Sequence, residues 1–258
     1  MPTPTKTSDL YKGKIIIDFF ENTHAYLKRG DKKRLISVTA CTGMIDKSRP
    51  LMIWQERLTR DHLISLLKNG LKILEEHIVE ATSLHRTKKE EAASLGSQVH
   101  SWAESYINHQ LKLSKEKPEI PANADPRVIN GIMAFLKWVD EEKPKFLWTE
   151  KLVYSKKHDY VGLMDLAFTL KREGHKIIHA GDIKTSSGIY NEYRYQVSAY
   201  QEADAEESGR VYGTKWLMRF DKETGEFEAH EYAEHDKDFQ TFLACLTIKK
   251  REKELSKW

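Results

Sequence analysis

An α/β fold with one mixed central sheet flanked by helices, preceded by a β-meander and a helical insertion, is what the sequence predicts. Three observations carry it. Between Val128 and Phe220 the patterns run in the order α-β-β-β-α-β. Before residue 40 the apolar residues come in short β-branched or aromatic runs separated by turn residues, as in a small meander. From Leu51 to about Gln110 the spacing changes to the 3.6-residue period of helices, with no proline to interrupt it.

In chain order, the first dozen residues read as a loose tail. The meander runs are Lys14–Phe20, His24–Lys28 and Leu35–Thr39, with Arg29-Gly30-Asp31 as a turn. In the helical stretch Trp54, Leu58, Leu63, Leu67, Leu71, Leu74 and Ile78 form an apolar stripe. Residues 114–127 carry Pro118, Pro121 and Pro126 and read as a loop. Val128–Glu141 is an amphipathic helix with Ile129, Ile132, Met133, Leu136 and Val139 on one stripe. Strands follow at Phe146–Tyr154, Val161–Leu170 and Lys176–Lys184, then a helix from Asn191 to Glu207 stopped by Gly209. Val211–Phe220 is a further strand, and a terminal strand and the basic helix Asp238–Leu255 complete the chain. The expected organisation is one domain over 1–258: meander 1–45, helical region 46–126, core 127–220, terminal strand and helix 221–258.

Composition narrows the classes. With 40% hydrophobic and 31% charged residues the chain is neither disordered nor membrane-spanning, and no apolar run approaches the ~20 residues a bilayer requires. Met1–Lys14 has no apolar core of the kind an export signal needs, so a cytoplasmic location is expected. Cys41 and Cys245, the two cysteines, cannot form a four-thiolate zinc or iron–sulfur site. A net charge of +3 leaves any basic surface to local clustering.

The chemistry centres on two neighbouring strands. The apolar content of the strand Val161–Leu170 should bury it, yet it contains Asp165, and the next ends Asp182-Ile183-Lys184. A two-residue hairpin turn at Glu173-Gly174 places Asp165 directly across from Asp182, with Cβ atoms ~5 Å apart. Strand alternation then puts Lys184 on their face beside Ala167 and Ala180, and Met164, Leu166, Phe168 and Leu170 on the other. Two carboxylates so close repel, and a divalent cation removes the conflict. Lys184 beside them suits stabilisation of charge on a phosphoryl group. The bland reading, an exposed edge strand with a surface salt bridge, fits poorly with apolar neighbours on both sides of Asp165. Downstream, Gln196 and Tyr200 sit at i, i+4 on one helix face with Tyr193, aimed at binding a phosphate or orienting Lys184. Upstream, Gly96-Ser97-Gln98-Val99-His100 precedes Glu104 by one helical turn. His100 taken alone reads as ordinary helix structure.

Together, Gly96–His100, Asp165, Asp182-Ile183-Lys184 and Gln196–Tyr200 resemble the RecB-like branch of the PD-(D/E)XK nucleases in order and spacing. Leu35–Thr39 followed by Trp54 is similar to the phage and mitochondrial genome-maintenance exonucleases. The resemblance implies a restriction-endonuclease-like core, with Asp165 and Asp182 as metal carboxylates, His100 as a further ligand and the Ile183 carbonyl completing the shell. Lys184 becomes the catalytic lysine, Gln196 and Tyr200 its support, and Glu150 and Glu104 auxiliary acids. The chain lacks the four cysteines of cluster-bearing members, and no phosphate-binding Gly-x4-Gly-Lys-Ser/Thr loop is present.

The function expected is a metal-dependent DNA exonuclease acting on single-stranded or processed ends in recombination, replication or repair, phage-encoded and working in the host cytoplasm. It would use one or two Mg²⁺ or Mn²⁺ ions, the imidazole favouring Mn²⁺. DNA is the partner, with a recombination or single-strand-binding protein as a second and no membrane. Arg57, Arg60, Lys68, Lys72, Arg86, Lys88 and Lys89 could form a basic arch over the site, with Trp54, Trp102 and Tyr193 against bases. Two alternatives stand beside it: a structure- or site-specific endonuclease with the same residues, and a non-catalytic DNA-binding scaffold. A tyrosine recombinase lacks its Arg/His cluster.

Overall fold

Three antiparallel strands open the chain in the computed structural model, which describes residues 3–31 and 34–256. β1 (Lys6–Leu10), β2 (Ile15–Phe20) and β3 (Ala25–Lys28) pair in that order. β1 occupies the expected loose tail. Leu10 is its one apolar residue, so hydrophobic periodicity misses it. The strand is held by its ladder to β2 and by Thr7 Oγ1, which donates to Asp18 Oδ1 at 2.7 Å. The sheet buries Leu10, Ile15, Ile17 and Tyr26 against Leu152, Tyr154 and Val161.

Leu35–Thr39 does not complete that meander. Its first part forms β4 (Ile36–Ser37) in the larger sheet. Ser37 Oγ then accepts the Ala40 N–H at 3.1 Å and caps α1 (Val38–Thr42).

The single helical stretch from Leu51 to Gln110 is two helices, α2 (Ser48–Lys68) and α3 (Glu75–Gln110). Gly70, at φ +76°, takes the left-handed conformation just past the end of α2 and turns the chain. The apolar stripe along this region is not core. Leu67 is 58% exposed, Leu71, Leu74 and Ile78 are exposed as well, and α2 packs on α3 without burying any of its own residues. The C-terminal half of α3 does enter the core, through Leu95, Val99, Trp102, Ala103 and Ile107. Trp102 is therefore removed from the expected base-stacking surface: it is buried, and its Nε1–H donates to the Glu119 carbonyl at 3.0 Å.

α4 (Pro126–Glu142) starts inside the expected loop, with Pro126 in its first turn and Asp125 accepting the Arg127 N–H at 2.9 Å. Its buried face runs through Val128, Ile132, Phe135 and Trp138. Of the expected stripe only Ile132 is fully buried, and Met133 is exposed. The large rings at Phe135 and Trp138 rotate the inward face by about one residue.

The core then follows the expected order: β5 (Pro144–Ser155), β6 (Tyr160–Leu170), β7 (Ile178–Lys184), α5 (Asn191–Ser208) and β8 (Tyr212–Phe220). β9 (Phe227–Tyr232) and α6 (His235–Leu255) end it. The six-stranded sheet runs β4-β6-β7-β8-β9 with β5 paired to β6. α5 is the crossover that allows β7 and β8 to lie parallel. α3 and α4 cover one face, through Leu166, Phe168, Met218 and Phe220; α1, α5 and α6 cover the other, through Ala167, Ala180 and Leu217. No described helix is long and apolar enough to cross a membrane.

The β6–β7 register is the expected one, with Leu166 opposite Gly181, Ala167 opposite Ala180 and Phe168 opposite His179. The turn differs. In place of two residues at Glu173-Gly174, a 3-10 turn over Lys171–Glu173 and a left-handed Gly174 make a longer link. Register survives because lengthening a hairpin symmetrically about its centre leaves every pair unchanged. Strict alternation does not survive: Met164 packs with Ala167 and Tyr160, on the face opposite Leu166 and Phe168. β6 is irregular at that point because its β5 partner slips register between Phe146 and Trp148 and carries Glu150 at φ +46°.

Candidate metal centre

A gap in the sheet sets the position of the site. β5 follows one edge of β6 along most of its length, so β4 and β7 share the other edge. β4 takes it at Tyr160–Val161 and β7 at Leu166–Phe168. Between them lie Gly162 to Asp165, with no ladder partner on that edge among the described residues. The backbone thus delivers a carboxylate where side chains from other elements can reach it.

Asp165 Oδ2 accepts the Ile183 N–H at 2.8 Å, which fixes the carboxylate against the end of β7. Asp182, one residue earlier, is 2% exposed, and Lys184 Nζ lies 2.7 Å from its Oδ2. The ring of Tyr193, from the first turn of α5, lies 4.6 Å from the same ammonium. His100 comes from the buried half of α3, with Nδ1 3.9 Å from Asp165 Oδ2. Gly96, one turn before it, allows that approach: a Cβ there would stand 2.7 Å from Thr185 Oγ1.

Glu150 completes the cluster. It lies in the middle of β5, between the pairs Thr149–Leu166 and Lys151–Met164, and so opposite Asp165. Ligand atoms of His100, Glu150 and Asp165 all lie within 4.8 Å of one another. Asp182 is turned to Lys184, and Glu150 stands where a third ligand would. Glu104, one turn after His100, adds its charge to that felt by Glu150.

Electrostatics follow from crowding acids in a largely enclosed place. Burial, then the Asp165 and Glu104 carboxylates, push Glu150 up to about 8, against the opposing charge of Lys6. Burial also raises Asp182 to about 6, with Lys184 countering it and Asp165 adding to it. Asp165 is raised for the same first reason. Burial works against the Lys184 ammonium, yet Asp182 and Asp165 outweigh it and hold the lysine charged. His100 is pulled down to about 4 by burial and by Lys184, so its ring is the neutral form that ligates metals. One imidazole and two converging carboxylates, each disfavoured in its charged form by burial, are a donor set that a divalent cation fits.

The remaining expected residues divide. Tyr200 is buried, and the negative charges of Asp182 and Asp165 help to raise its phenol. The Gln196 amide donates to Thr42 Oγ1 at 2.8 Å, so it ties α5 to α1, and the side chain that lies on Lys184 is Tyr193. Trp54, 38% exposed, and the exposed Arg57 lie on α2. Sequence reasoning misses Thr42 and Lys6, whose Nζ donates to the Glu150 carbonyl at 2.5 Å. It undervalues Glu150, although centring the β5–β6 hairpin on Lys157-His158 would have placed Glu150 opposite Asp165.

No family model and no curated protein matches the sequence. Among solved structures the chain is similar to the alkaline exonuclease LHK-Exo from Laribacter hongkongensis. The two are 15% identical, with a TM-score of 0.31, over 61% of this chain and 84% of that one.

Proposed function

We propose that this chain is a metal-dependent deoxyribonuclease that hydrolyses phosphodiester bonds from DNA ends, in recombination, replication or repair. The observation that carries the reading is the convergence of His100, Glu150 and Asp165 within 4.8 Å, beside the Lys184–Asp182 pair. A Mg²⁺ or Mn²⁺ ion held by His100, Glu150 and Asp165, with Asp182 and the Ile183 carbonyl alongside, would supply Lewis acidity to the phosphate and make water a stronger nucleophile at neutral pH.

The chain's own residues account for the rest. Asp165 keeps its orientation through the Ile183 N–H and so defines where a phosphate oxygen can approach. Lys184 remains protonated between Asp182 and the Tyr193 ring, and its ammonium faces the charge that builds on the phosphoryl oxygens. The oxygen of water would bond to phosphorus as it gives up a proton to solvent, the bond from phosphorus to the 3′ oxygen would break, and that oxygen would take up a proton from solvent. A 5′-phosphate and a 3′-hydroxyl result. Trp54 and Arg57 offer an exposed ring and guanidinium to an incoming strand.

The test is digestion of matched linear and circular single-stranded DNA in Mn²⁺ and in Mg²⁺, with Lys184→Ala as control. Loss of the linear form alone, dependent on Lys184, supports the exonuclease. Cleavage of both makes it an endonuclease on the same residues. Binding without cleavage of single-stranded, duplex and branched DNA would contradict catalysis and leave a scaffold.

A further inference from the structure

The N-terminal sheet reaches the site through a residue whose place in its strand is anomalous. Lys6, Ser8 and Leu10 share the inward face of β1, the face on which Leu10 is buried. A lysine on that face needs a partner for its ammonium. Lys6 finds one 144 residues away: Nζ donates to the backbone carbonyl of Glu150 at 2.5 Å.

That carbonyl belongs to a residue in an unusual conformation. Glu150 has φ +46°, in the left-handed region that side chains with a Cβ avoid. The ladder pairs its neighbours Thr149 and Lys151 with Leu166 and Met164 and passes over Glu150 and Asp165. The twist that brings the Glu150 carboxylate to His100 and Asp165 therefore takes its own carbonyl out of the sheet, where it requires a donor from elsewhere. Lys6 is that donor. Tyr26 of β3 is a second residue of the same sheet close to this position, its phenol raised to about 12 by burial and by the Glu150 carboxylate.

We infer that Lys6 is a positioning residue of the metal centre: by holding the Glu150 carbonyl it fixes the left-handed backbone that presents the Glu150 carboxylate beside His100 and Asp165. The N-terminal sheet is then a working part of the site. The inference rests on the metal-site reading above.

Calorimetric titration of the full chain with Mn²⁺ tests it, using wild type, Lys6→Met, Lys6→Arg, Glu150→Gln and the double variant Lys6→Met/Glu150→Gln. Lys6→Met is expected to weaken Mn²⁺ binding about tenfold, the lower end of what loss of a supporting contact does to a metal site. Lys6→Arg, which keeps a cationic donor, should stay within about threefold of wild type. In the Glu150→Gln background Lys6→Met should change nothing further, because its effect runs through that carboxylate. Lys6→Gln, a milder change, replaces Lys6→Met if the latter lacks a native near-UV circular dichroism spectrum. Wild-type affinity in the Lys6 variants, or an equal loss in both backgrounds, overturns the inference while Mn²⁺ binding by wild type keeps the metal site standing. Absence of Mn²⁺ binding by wild type overturns both.

Discussion

Asp182, Lys184 and Glu150 differ in what their removal should do, because they sit differently in one small volume. Asp182→Asn keeps the shape and removes the charge opposite Lys184, so cleavage should stop while DNA binding persists or tightens. Filter binding and digestion of the same substrate report both. Lys184→Ala removes the ammonium proposed to face the phosphate and no ligand of the cluster. Turnover should fall by about two to three orders of magnitude, as for loss of a charge-stabilising donor elsewhere, with Mn²⁺ affinity near wild type by calorimetry. Glu150 provides a pH test. Its carboxyl is raised to about 8, so between the usual carboxylate range and about 8 the folded chain holds a proton that the unfolded chain has lost. Stability of the metal-free protein should therefore fall as pH rises through that window. His100, lowered to about 4, acts in the opposite sense only below its ordinary 6.5, and Asp182 is largely ionised above about 6. Between about 6.5 and about 8 Glu150 sets the slope. Thermal melts in chelator should show a midpoint that drops across this range. Glu150→Gln should flatten the drop, and a slope unchanged in that variant would contradict the assignment.

At the scale of elements, the site depends on the gap in the edge of β6 and on the glycine within it. A Cβ at Gly162 would stand 2.4 Å from Tyr200 Cε1 and 3.0 Å from Val38 Cγ2, so Gly162→Ala must push α5 or α1 away. Overpacking of this kind costs about 1–3 kcal/mol, and urea denaturation should show a loss in that range. This is also the scale at which the sequence was most and least legible. Asp165 and Asp182 could be placed together because hairpin register depends on the centre of the loop and not on its length. The Gly96–His100 motif singled out the stretch of α3 that carries His100, though not that Gly96 meets Thr185. β1 was illegible because Lys6–Leu10 has a single apolar residue, and the α2–α3 stripe misled because helical spacing says which residues share a face and not that anything covers it. Lys6 and Thr42 were beyond reach, since their partners lie 144 and 154 residues away.

Across the whole molecule, buried charge joins the last helix to the sheet. Lys215 on β8 is 1% exposed, with Nζ 2.8 Å from Asp238 Oδ2 on α6. Arg194 of α5 donates to the same oxygen at 3.1 Å. Around this network Phe239, Phe242 and Leu246 of α6 pack with Val197 and Ala203 of α5, the helix that carries Tyr193 over Lys184. Asp238→Ala leaves a buried ammonium with the Glu234 carbonyl at 3.0 Å as a remaining partner, and should cost about 3–5 kcal/mol of stability by urea denaturation. A loss under 1 kcal/mol would mean that α6 is held by its apolar face alone. The architecture thus brings α3, β5, β6 and β7 to one point, with α5 over it and the N-terminal sheet behind Glu150. The most direct test of that convergence is anomalous diffraction at the manganese edge from crystals soaked in Mn²⁺. A peak is expected among His100, Glu150 and Asp165; a peak elsewhere in the chain, or none at a concentration that supports cleavage, would contradict a metal centre there.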